Sequence, residues 1–248
     1  MESILRLDRV YKRFGGVIAA KDVTLDIVPG ELHGLIGPNG AGKSTMMNLI
    51  SGIYKMDSGS IWYNGEDISN VPAYLRARNG IGRTFQTPRF LDRSSIRDNL
   101  YLGVDLHDQI GFLSSFFGKR GSDFSRELQE LMEYAGFSLD IDDDIASLPF
   151  GQRKLLEIVR ALLAHPKVIL VDEPAAGLNS LEIRNVSALL TLAAKERNIG
   201  VLLIEHRMDM VMKLCDRIDV LCFGEIIARG TPKEVVSNPR VIEAYLGG

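Results

Sequence analysis

The stretch Gly37-Pro38-Asn39-Gly40-Ala41-Gly42-Lys43-Ser44-Thr45 decides the fold of this chain, and it has the form G-x-x-x-x-G-K-[ST]. Its glycines reach positive φ without a Cβ clash, so the backbone can fold around an anion. Successive N–H groups then point inward and form an anion-binding nest. A helix predicted from Gly42 to about Ser51 adds the positive end of its dipole. The sequence therefore predicts a binding loop for phosphate groups.

The flanks of this loop supply the context that it requires. Residues 32–36 form a short, mostly apolar run suited to a buried strand, and residues 46–50 give the following helix an apolar face. Strand, loop and helix in this order are typical of the phosphate-binding loop of nucleoside triphosphatases. Lys43 is expected to reach the β- and γ-phosphates, and the Ser44 hydroxyl is expected to ligate Mg²⁺.

Length and composition narrow the class of protein. The chain has 248 residues, of which 46% are hydrophobic and 25% charged, ordinary values for a globular protein that buries a core. The formal net charge of −3 argues against a dedicated nucleic-acid binder. The longest wholly apolar runs span about four residues, whereas a membrane-spanning helix needs roughly 20. We therefore expect a soluble protein whose membrane role, if any, comes through a partner.

Two features of the sequence could suggest a metal site, but a simpler interpretation is favoured for each. Cys215 and Cys222 have no second cysteine or pair of histidines nearby to complete a metal site, so we expect free, buried thiols in a reducing compartment. Residues 140–144 contain four acids, but the glycine and the distal glutamate of a calcium-binding EF-hand loop are missing. We expect an exposed loop there.

Hydrophobic patterning predicts two kinds of sheet. Period-two alternation at residues 5–10 and 23–27 predicts strands, and Asn64-Gly65 predicts a hairpin turn. Farther along, short apolar runs alternate with amphipathic segments, which predicts parallel βαβ units. The predicted strands of this part lie at 32–36, 81–86, 167–171 and 200–204, and the predicted helices at 152–164, 181–195 and 208–214.

The segment 87–144 has a different character. It combines loops rich in Gly, Ser and Phe at 111–122 with helix candidates at 95–102 and 124–135. At the other end of the chain, residues 220–228 predict a hairpin around Gly224. Thr231-Pro232-Lys233-Glu234 is a capping box with proline at the first helical position, and Pro239 begins a last short helix.

Charged groups follow two of the predicted parallel strands. Asp172 and Glu173 end the run 168–173, and in a parallel sheet the ligand site lies beyond the carboxyl ends of the strands. Asp172 can there hold Mg²⁺ directly or through water, and Glu173 can orient the attacking water or accept its proton. His206 follows the next strand, where it can hydrogen-bond the γ-phosphate or hold Glu173 in place. Two acids after a strand are by themselves weak evidence for a catalytic site. The phosphate loop elsewhere in the sequence makes a catalytic site the favoured interpretation.

With these motifs in order, the chain resembles the ATP-binding subunit of an ABC transporter over essentially all 248 residues. The resemblance implies that Phe14 stacks on adenine, that residues 37–45 cradle the phosphates, and that Gly151 and Gln152 at the signature position contact ATP from the opposite subunit. The implied catalytic residues are Glu173, His206, Gln86 and Lys43, and the implied Mg²⁺ ligands are Ser44, Gln86 and Asp172. ATP and Mg²⁺ are thus the expected cofactors.

The resemblance also implies an architecture. It predicts an α/β fold with a RecA-like P-loop NTPase core, an antiparallel β subdomain and an inserted α-helical subdomain. We expect residues 1–86 and 152–222 to form the nucleotide-binding core with the N-terminal β subdomain. Residues 87–151 would be the helical subdomain with the signature, and residues 223–248 a C-terminal hairpin with short helices.

Four further stretches of sequence narrow the resemblance to one group of ABC transporters. Residues 83–88, 172–179, 204–206 and 238–247 are similar to the ATP-binding subunits of branched-chain amino acid importers, and the urea and amide importers of the same group look alike. Pro149 and Phe150 stand where the common signature has serine and glycine, and proline cannot donate the γ-phosphate hydrogen bond that the resemblance assigns to that serine, a contact worth about 1.5–3 kcal/mol. Gly151 with its backbone N–H remains at this position. Asn179 stands where many relatives have the D-loop aspartate.

These observations lead to a hypothesis and its rivals. We expect an ATPase that pairs with a second, identical or paralogous ATP-binding subunit, works with transmembrane permease subunits and serves a solute-binding protein indirectly. It would lie peripherally at the cytoplasmic face of the cell membrane, with no nucleic acid bound. The alternatives are a soluble ABC ATPase of ribosomes or DNA, a regulatory module that barely hydrolyses ATP, and a subunit for another solute, such as urea, an amide or an exported lipid.

Overall fold

The computed structural model describes residues 2–104 and 120–246. The strands are β1 (Leu5–Phe14), β2 (Val17–Ile27), β3 (Leu32–Ile36), β4 (Ser58–Tyr63), β5 (Glu66–Asp67), β6 (Ile81–Arg83), β7 (Val168–Asp172), β8 (Gly200–Ile204), β9 (Arg217–Cys222) and β10 (Glu225–Gly230). The helices are α1 (Lys43–Ile50), α2 (Ala73–Arg78), α3 (Ile96–Val104), α4 (Arg120–Ala135), α5 (Phe150–Leu163), α6 (Ser180–Thr191), α7 (Met208–Leu214), α8 (Pro232–Val236) and α9 (Pro239–Leu246).

A six-stranded sheet in the order β10-β9-β3-β8-β7-β6 forms the core. Its pairs are parallel except β9 with β10, which form the hairpin predicted around Gly224. Every residue of β3, β7 and β8 is buried, as expected for strands that are covered on both faces. The predicted parallel βαβ arrangement is confirmed, and it brings the carboxyl ends of these three strands to one edge of the sheet.

A second, antiparallel sheet has the order β2-β1-β4-β5. Asn64 and Gly65 join β4 to β5 with φ values of 50° and 79°, the positive φ pair of a tight hairpin turn, so that prediction is confirmed. The prediction that β1 ends at Val10 is wrong. The ladder with β2 continues to the pair Phe14 and Val17, because register shifts along β1 let polar residues stay in the sheet.

The helices α3, α4 and α5 pack together beside the core sheet. The helix candidate at 124–135 is confirmed as part of α4, and Leu128, Leu131 and Ala135 give this helix a buried apolar face. The predicted loop at 111–122 is wrong for residues 120–122, which belong to α4, and the rest of it lies outside the described residues. The exposed stretch 140–144 is hydrogen-bonded within itself and to Arg97.

Other boundaries differ from the sequence-based expectation. Strand β6 ends at Arg83 rather than residue 86, and a helix predicted at 181–195 becomes a π-helical turn at Leu192–Glu196. The helix α2 was not predicted, because its six residues show no clear apolar stripe. The capping box of Thr231 and Glu234 is confirmed. Of the two free cysteines, only Cys215 is fully buried, so the expectation of two buried thiols is wrong for Cys222.

Arg217 joins the two sheets through charged hydrogen bonds. Its guanidinium on β9 donates to Glu31 Oε1 at 2.7 Å and to Asp26 Oδ1 at 3.0 Å, and Asp26 lies on β2. Burial disfavours the ionised form of Glu31, yet the His33 imidazole, 3.8 Å away, and hydrogen bonds from Arg217 outweigh it and lower the pKa of Glu31 to about 2. The ionised carboxylate therefore stabilises the fold above the unfolded-state pKa, and this contribution is lost as pH falls towards 2.

We predict that Arg217→Met lowers the free energy of unfolding at pH 7 by about 3 kcal/mol, because it leaves the buried Glu31 carboxylate short of a partner. The difference from wild type should shrink as pH falls from about 4.5 towards 2, because protonation relieves the carboxylate of Glu31 in the variant, whereas wild type loses the stability that its ionised Glu31 contributes. Urea titrations at pH 7 and pH 3 measure both effects. The control Arg6→Met, at an exposed pair with Asp8, should change stability by less than about 0.5 kcal/mol.

Candidate active site

The phosphate loop lies between β3 and α1, at the carboxyl edge of the core sheet. A Cβ atom at Gly37, whose φ is 152°, would overlap the Leu221 carbonyl oxygen. A Cβ atom at Gly42, whose φ is 109°, would overlap the Ala19 carbonyl oxygen. Neighbouring backbone therefore presses on the loop at both points, and only glycine fits. The cradle has the form that a chain of phosphates requires.

Lys43 and Ser44 begin α1 at the mouth of this loop. The Lys43 ammonium donates hydrogen bonds to the carbonyl oxygens of Gly37 at 2.7 Å and Pro38 at 2.9 Å. Burial lowers the pKa of Lys43, although the carboxylates of Glu173 and Asp172 act in the opposite direction. A partly dehydrated cation is thus held at the phosphate loop, which suits it to a phosphate anion. Ser44 is exposed at the helix N-terminus.

Asp172 ends β7 and is buried beside the loop. Burial raises its pKa, and Arg83, whose guanidinium lies 3.8 Å from Asp172 Oδ2, partly offsets this. Arg83 also donates to Asn48 and Ser51 of the α1 region at 2.8 and 2.7 Å, which ties the strand end to the phosphate helix. A buried carboxylate whose ionised form is disfavoured gains from a nearby divalent cation, so Asp172 fits the predicted Mg²⁺ ligand.

Both carboxylate oxygens of Glu173 have partners from other elements. His206 Nε2 lies 2.9 Å from Oε1, and Gln86 Nε2 donates to Oε2 at 2.9 Å. The sequence left two roles open for His206, and the contact with Glu173 is the one that the structure contains. Glu173, Gln86 and His206 are therefore brought together, each from a different strand end.

The backbone of Glu173 has an unusual conformation. Its φ is 46°, in the left-handed region that non-glycine residues rarely occupy. The Lys154 ammonium donates to the Glu173 carbonyl oxygen at 2.6 Å, and the Glu173 N–H donates to the Ile204 carbonyl oxygen at 2.9 Å. These bonds hold a conformation that costs about 1–3 kcal/mol, of the kind that clusters at functional sites.

Two residues that support this site were missed by sequence reasoning. Glu205 is buried, and its carboxylate accepts hydrogen bonds from the N–H groups of Ala175 at 2.7 Å, His206 at 2.9 Å and Arg207 at 3.1 Å. It thereby fixes the turn after Glu173 against the loop that carries His206. Lys154 is the other, and no motif marks it, because its role depends on how α5 packs against β7. For Glu205 the only signal was its place between a buried strand and His206.

The signature residues lie apart from the phosphate loop of their own chain. Gly151 is in the first turn of α5, where a Cβ atom would overlap the Glu182 carboxylate. Glu182 forms a capping box with Asn179, whose side chain accepts from the N–H groups of residues 181 and 182. No hydrogen bond or ion pair joins Gly151 or Gln152 to residues 37–45 within the part of the chain that the structure describes. Asn179 acts as a helix cap.

Phe14 lies at the end of β1 and is 43% exposed. Its ring meets Tyr54 edge to face at 5.3 Å between centroids, and the Lys12 ammonium lies 5.2 Å from its centre. One face of an aromatic ring thus remains accessible. This placement is compatible with the predicted stacking on a base, which stays a prediction.

Comparisons with known proteins agree with this geometry. A family model described as ABC transporter matches residues 20–176, more than half of the chain, and one described as branched-chain amino acid ATP-binding cassette transporter matches residues 225–248. The high-affinity branched-chain amino acid transport ATP-binding protein BraF of Pseudomonas aeruginosa is 38% identical over 251 residues, covering 98% of each chain. Its counterpart LivG of Escherichia coli is 34% identical over 253 residues, covering 99% of this chain and 98% of LivG.

Solved structures show the same likeness. A crystal structure of the ADP conformation of an ATP-binding cassette from an ABC transporter has a TM-score of 0.84 and 34% sequence identity, with 100% of both chains covered. A nucleotide-free cassette has a TM-score of 0.82 at the same identity and coverage. The chain therefore has the complete fold of these cassettes.

We predict that Lys43→Ala weakens ATP binding by about 10- to 100-fold, because a charge-assisted hydrogen bond contributes about 1.5–3 kcal/mol. Fluorescent-nucleotide titration measures the dissociation constant, and a phosphate-release assay measures turnover, which should fall with it. The matched control is Lys167→Ala, an exposed lysine directly before β7, at the opposite end of that strand from Asp172. Equal ATP affinity in the two variants would rule out the assigned role of Lys43.

Proposed function

The chain belongs to the ABC transporter family of ATP-binding subunits, and from this premise we propose that it powers the import of branched-chain amino acids through a separate permease. The predicted family and the predicted α/β cassette fold are confirmed. The observation that favours this class of solute is the match of residues 225–248 to the branched-chain amino acid cassette model, beside relatives that carry that function in their names. Urea and amides are the alternative solutes.

In this proposal, hydrolysis depends on the hydrogen bonds that hold the Glu173 carboxylate. Its carboxylate accepts the proton of the attacking water, while His206 and Gln86 fix the direction of the two oxygens. Lys43 balances negative charge on the phosphates. Ser44, Gln86 and Asp172 would hold Mg²⁺ when it is bound with ATP, and the ion would neutralise phosphate charge. The donor set of hydroxyl, amide and carboxylate oxygens is one that Mg²⁺ prefers.

A second subunit completes the site. Because Gly151 and Gln152 lie apart from their own phosphate loop, we infer that they face the loop of a partner subunit arranged head to tail. Pro149 has no hydroxyl or N–H to donate, so the contact from this segment comes from the Gly151 N–H and the N-terminus of α5. Binding of ATP would then close the pair, and hydrolysis would reopen it.

A groove between the core and the helical region suits the permease. It has a volume of about 360 Å³ and an apolar lining from the loop after α1 and from α2, β6, α3 and α5. Ile53 and Leu102 line it with 49% and 47% of their surfaces exposed. Among residues 2–104 and 120–246, none of the helices is long and apolar enough to cross a membrane. We propose that a cytoplasmic helix of the permease enters this groove and holds the subunit at the membrane.

We predict that cells lacking this subunit lose uptake of labelled leucine and that the wild-type gene restores it. Leu102→Glu should not restore uptake, because a charge in the groove disfavours an apolar helix, while the purified variant keeps its ATPase activity. Val236→Glu, at an equally exposed apolar residue of α8, is the control and should restore uptake.

The outcomes separate the parts of the proposal. If cells lacking this subunit lose urea uptake but keep leucine uptake, the proposed class of solute is wrong. Full rescue by Leu102→Glu would contradict the groove as the docking surface and leave the solute standing.

A further inference from the structure

Glu157 is a buried carboxylate to which the sequence analysis assigned no role. It lies on α5, is 2% exposed, and forms part of the wall of the groove. Burial raises its pKa to about 7, against the opposing effect of hydrogen bonds from Arg89 and Phe85 and of the Arg160 and Lys154 charges. A carboxylate is costly to keep at such a place, so its contacts need an explanation.

The contacts of Glu157 reach the loop that carries Gln86. Its Oε1 atom accepts long hydrogen bonds from the backbone N–H groups of Phe85 and Arg89, both at 3.4 Å. The Arg160 guanidinium lies 4.0 Å from the same oxygen. One atom of α5 thus holds the chain on both sides of Gln86.

Cation–π contacts also hold the same loop. The guanidinium groups of Arg83 and Arg89 lie over the Phe85 ring, at 4.8 Å and 4.3 Å from its centre. Arg83 is in turn bonded to Asn48 and Ser51. With the backbone held at residues 85 and 89, Gln86 has little freedom, and its amide reaches Glu173 Oε2 at 2.9 Å.

We propose that Glu157 is a positioning residue for ATP hydrolysis: its carboxylate holds residues 85–89 so that the Gln86 amide meets the Glu173 carboxylate. Among the residues that the structure describes, no hydrogen bond or ion pair joins Glu157 to residues 37–45 or to Glu173, so it acts through Gln86. Its removal therefore affects the chemical step and leaves ATP binding, which depends on residues 37–45, unchanged. Because this inference concerns hydrolysis alone, it stands whether or not the groove binds a permease helix.

The test is a double-mutant cycle between residues 157 and 86 in the full-length protein. Glu157→Leu removes the acceptor and should lower kcat by roughly tenfold to a hundredfold, the range expected for a catalytic group displaced by about 1 Å. The dissociation constant for ATP should stay within about twofold of wild type. In the Gln86→Ala background, Glu157→Leu should change kcat by less than about twofold, because the residue through which it acts is gone.

Companion variants separate positioning from packing. Glu157→Gln keeps an acceptor oxygen and should retain most of the activity. Glu157→Asp keeps the charge but draws the oxygen back towards α5, so its kcat should fall like that of Glu157→Leu. If the leucine variant does not fold, the aspartate variant replaces it in the test. Glu133→Leu, an exposed glutamate on α4, is the control that should leave kcat unchanged.

Two results would overturn the proposal. An equal loss of kcat from Glu157→Leu in the wild-type and Gln86→Ala backgrounds would show that Glu157 only supports packing. Wild-type kcat in both Glu157→Leu and Glu157→Asp would show that the loop does not depend on this carboxylate.

Discussion

The parallel pairing of β3, β8 and β7 is the constraint on which the site depends. The register places Gly34 beside Leu203 and Val171 beside Leu203, so the three strands end together. The phosphate loop, the Asp172-Glu173 pair and the Glu205-His206 pair leave the sheet from this common edge. No local sequence preference produces that meeting, because the strands are about 30 to 170 residues apart in the chain. Burial of both sheet faces stabilises this register, and the register determines which side chains meet at the site.

Around this edge, further side chains hold Glu173 and Gln86 in place. Glu173 has a left-handed backbone, and both of its carboxylate oxygens are engaged, so its orientation is determined before any ligand arrives. Glu205 and Lys154 hold the backbone behind it. Glu157 contacts the loop of Gln86 and also lines the groove, so one side chain belongs to both the proposed docking surface and the proposed support of Gln86.

The sequence predicted what depends on local pattern. The phosphate loop, Asp172, Glu173 and His206 were identified because their spacing to buried strands is short and fixed, and the capping box at Thr231 needs only four residues. It did not predict the extent of β1, where cross-strand pairing overrides alternation, or the helix α2. Lys154 and Glu157 were missed for a further reason. They lie on α5, and only its packing against β7 and the Gln86 loop gives them partners 19 and about 70 residues away.

The most direct test of this account is light scattering of Glu173→Gln with and without ATP. This variant keeps the phosphate loop but lacks the carboxylate that we propose accepts the proton, so it should bind ATP without consuming it. The account predicts a shift from monomer to dimer on addition of ATP, and no shift in the Lys43→Ala, Glu173→Gln double variant. A monomer that binds ATP fully and does not pair with itself, or with a paralogous subunit added in excess, would contradict the closed, head-to-tail site.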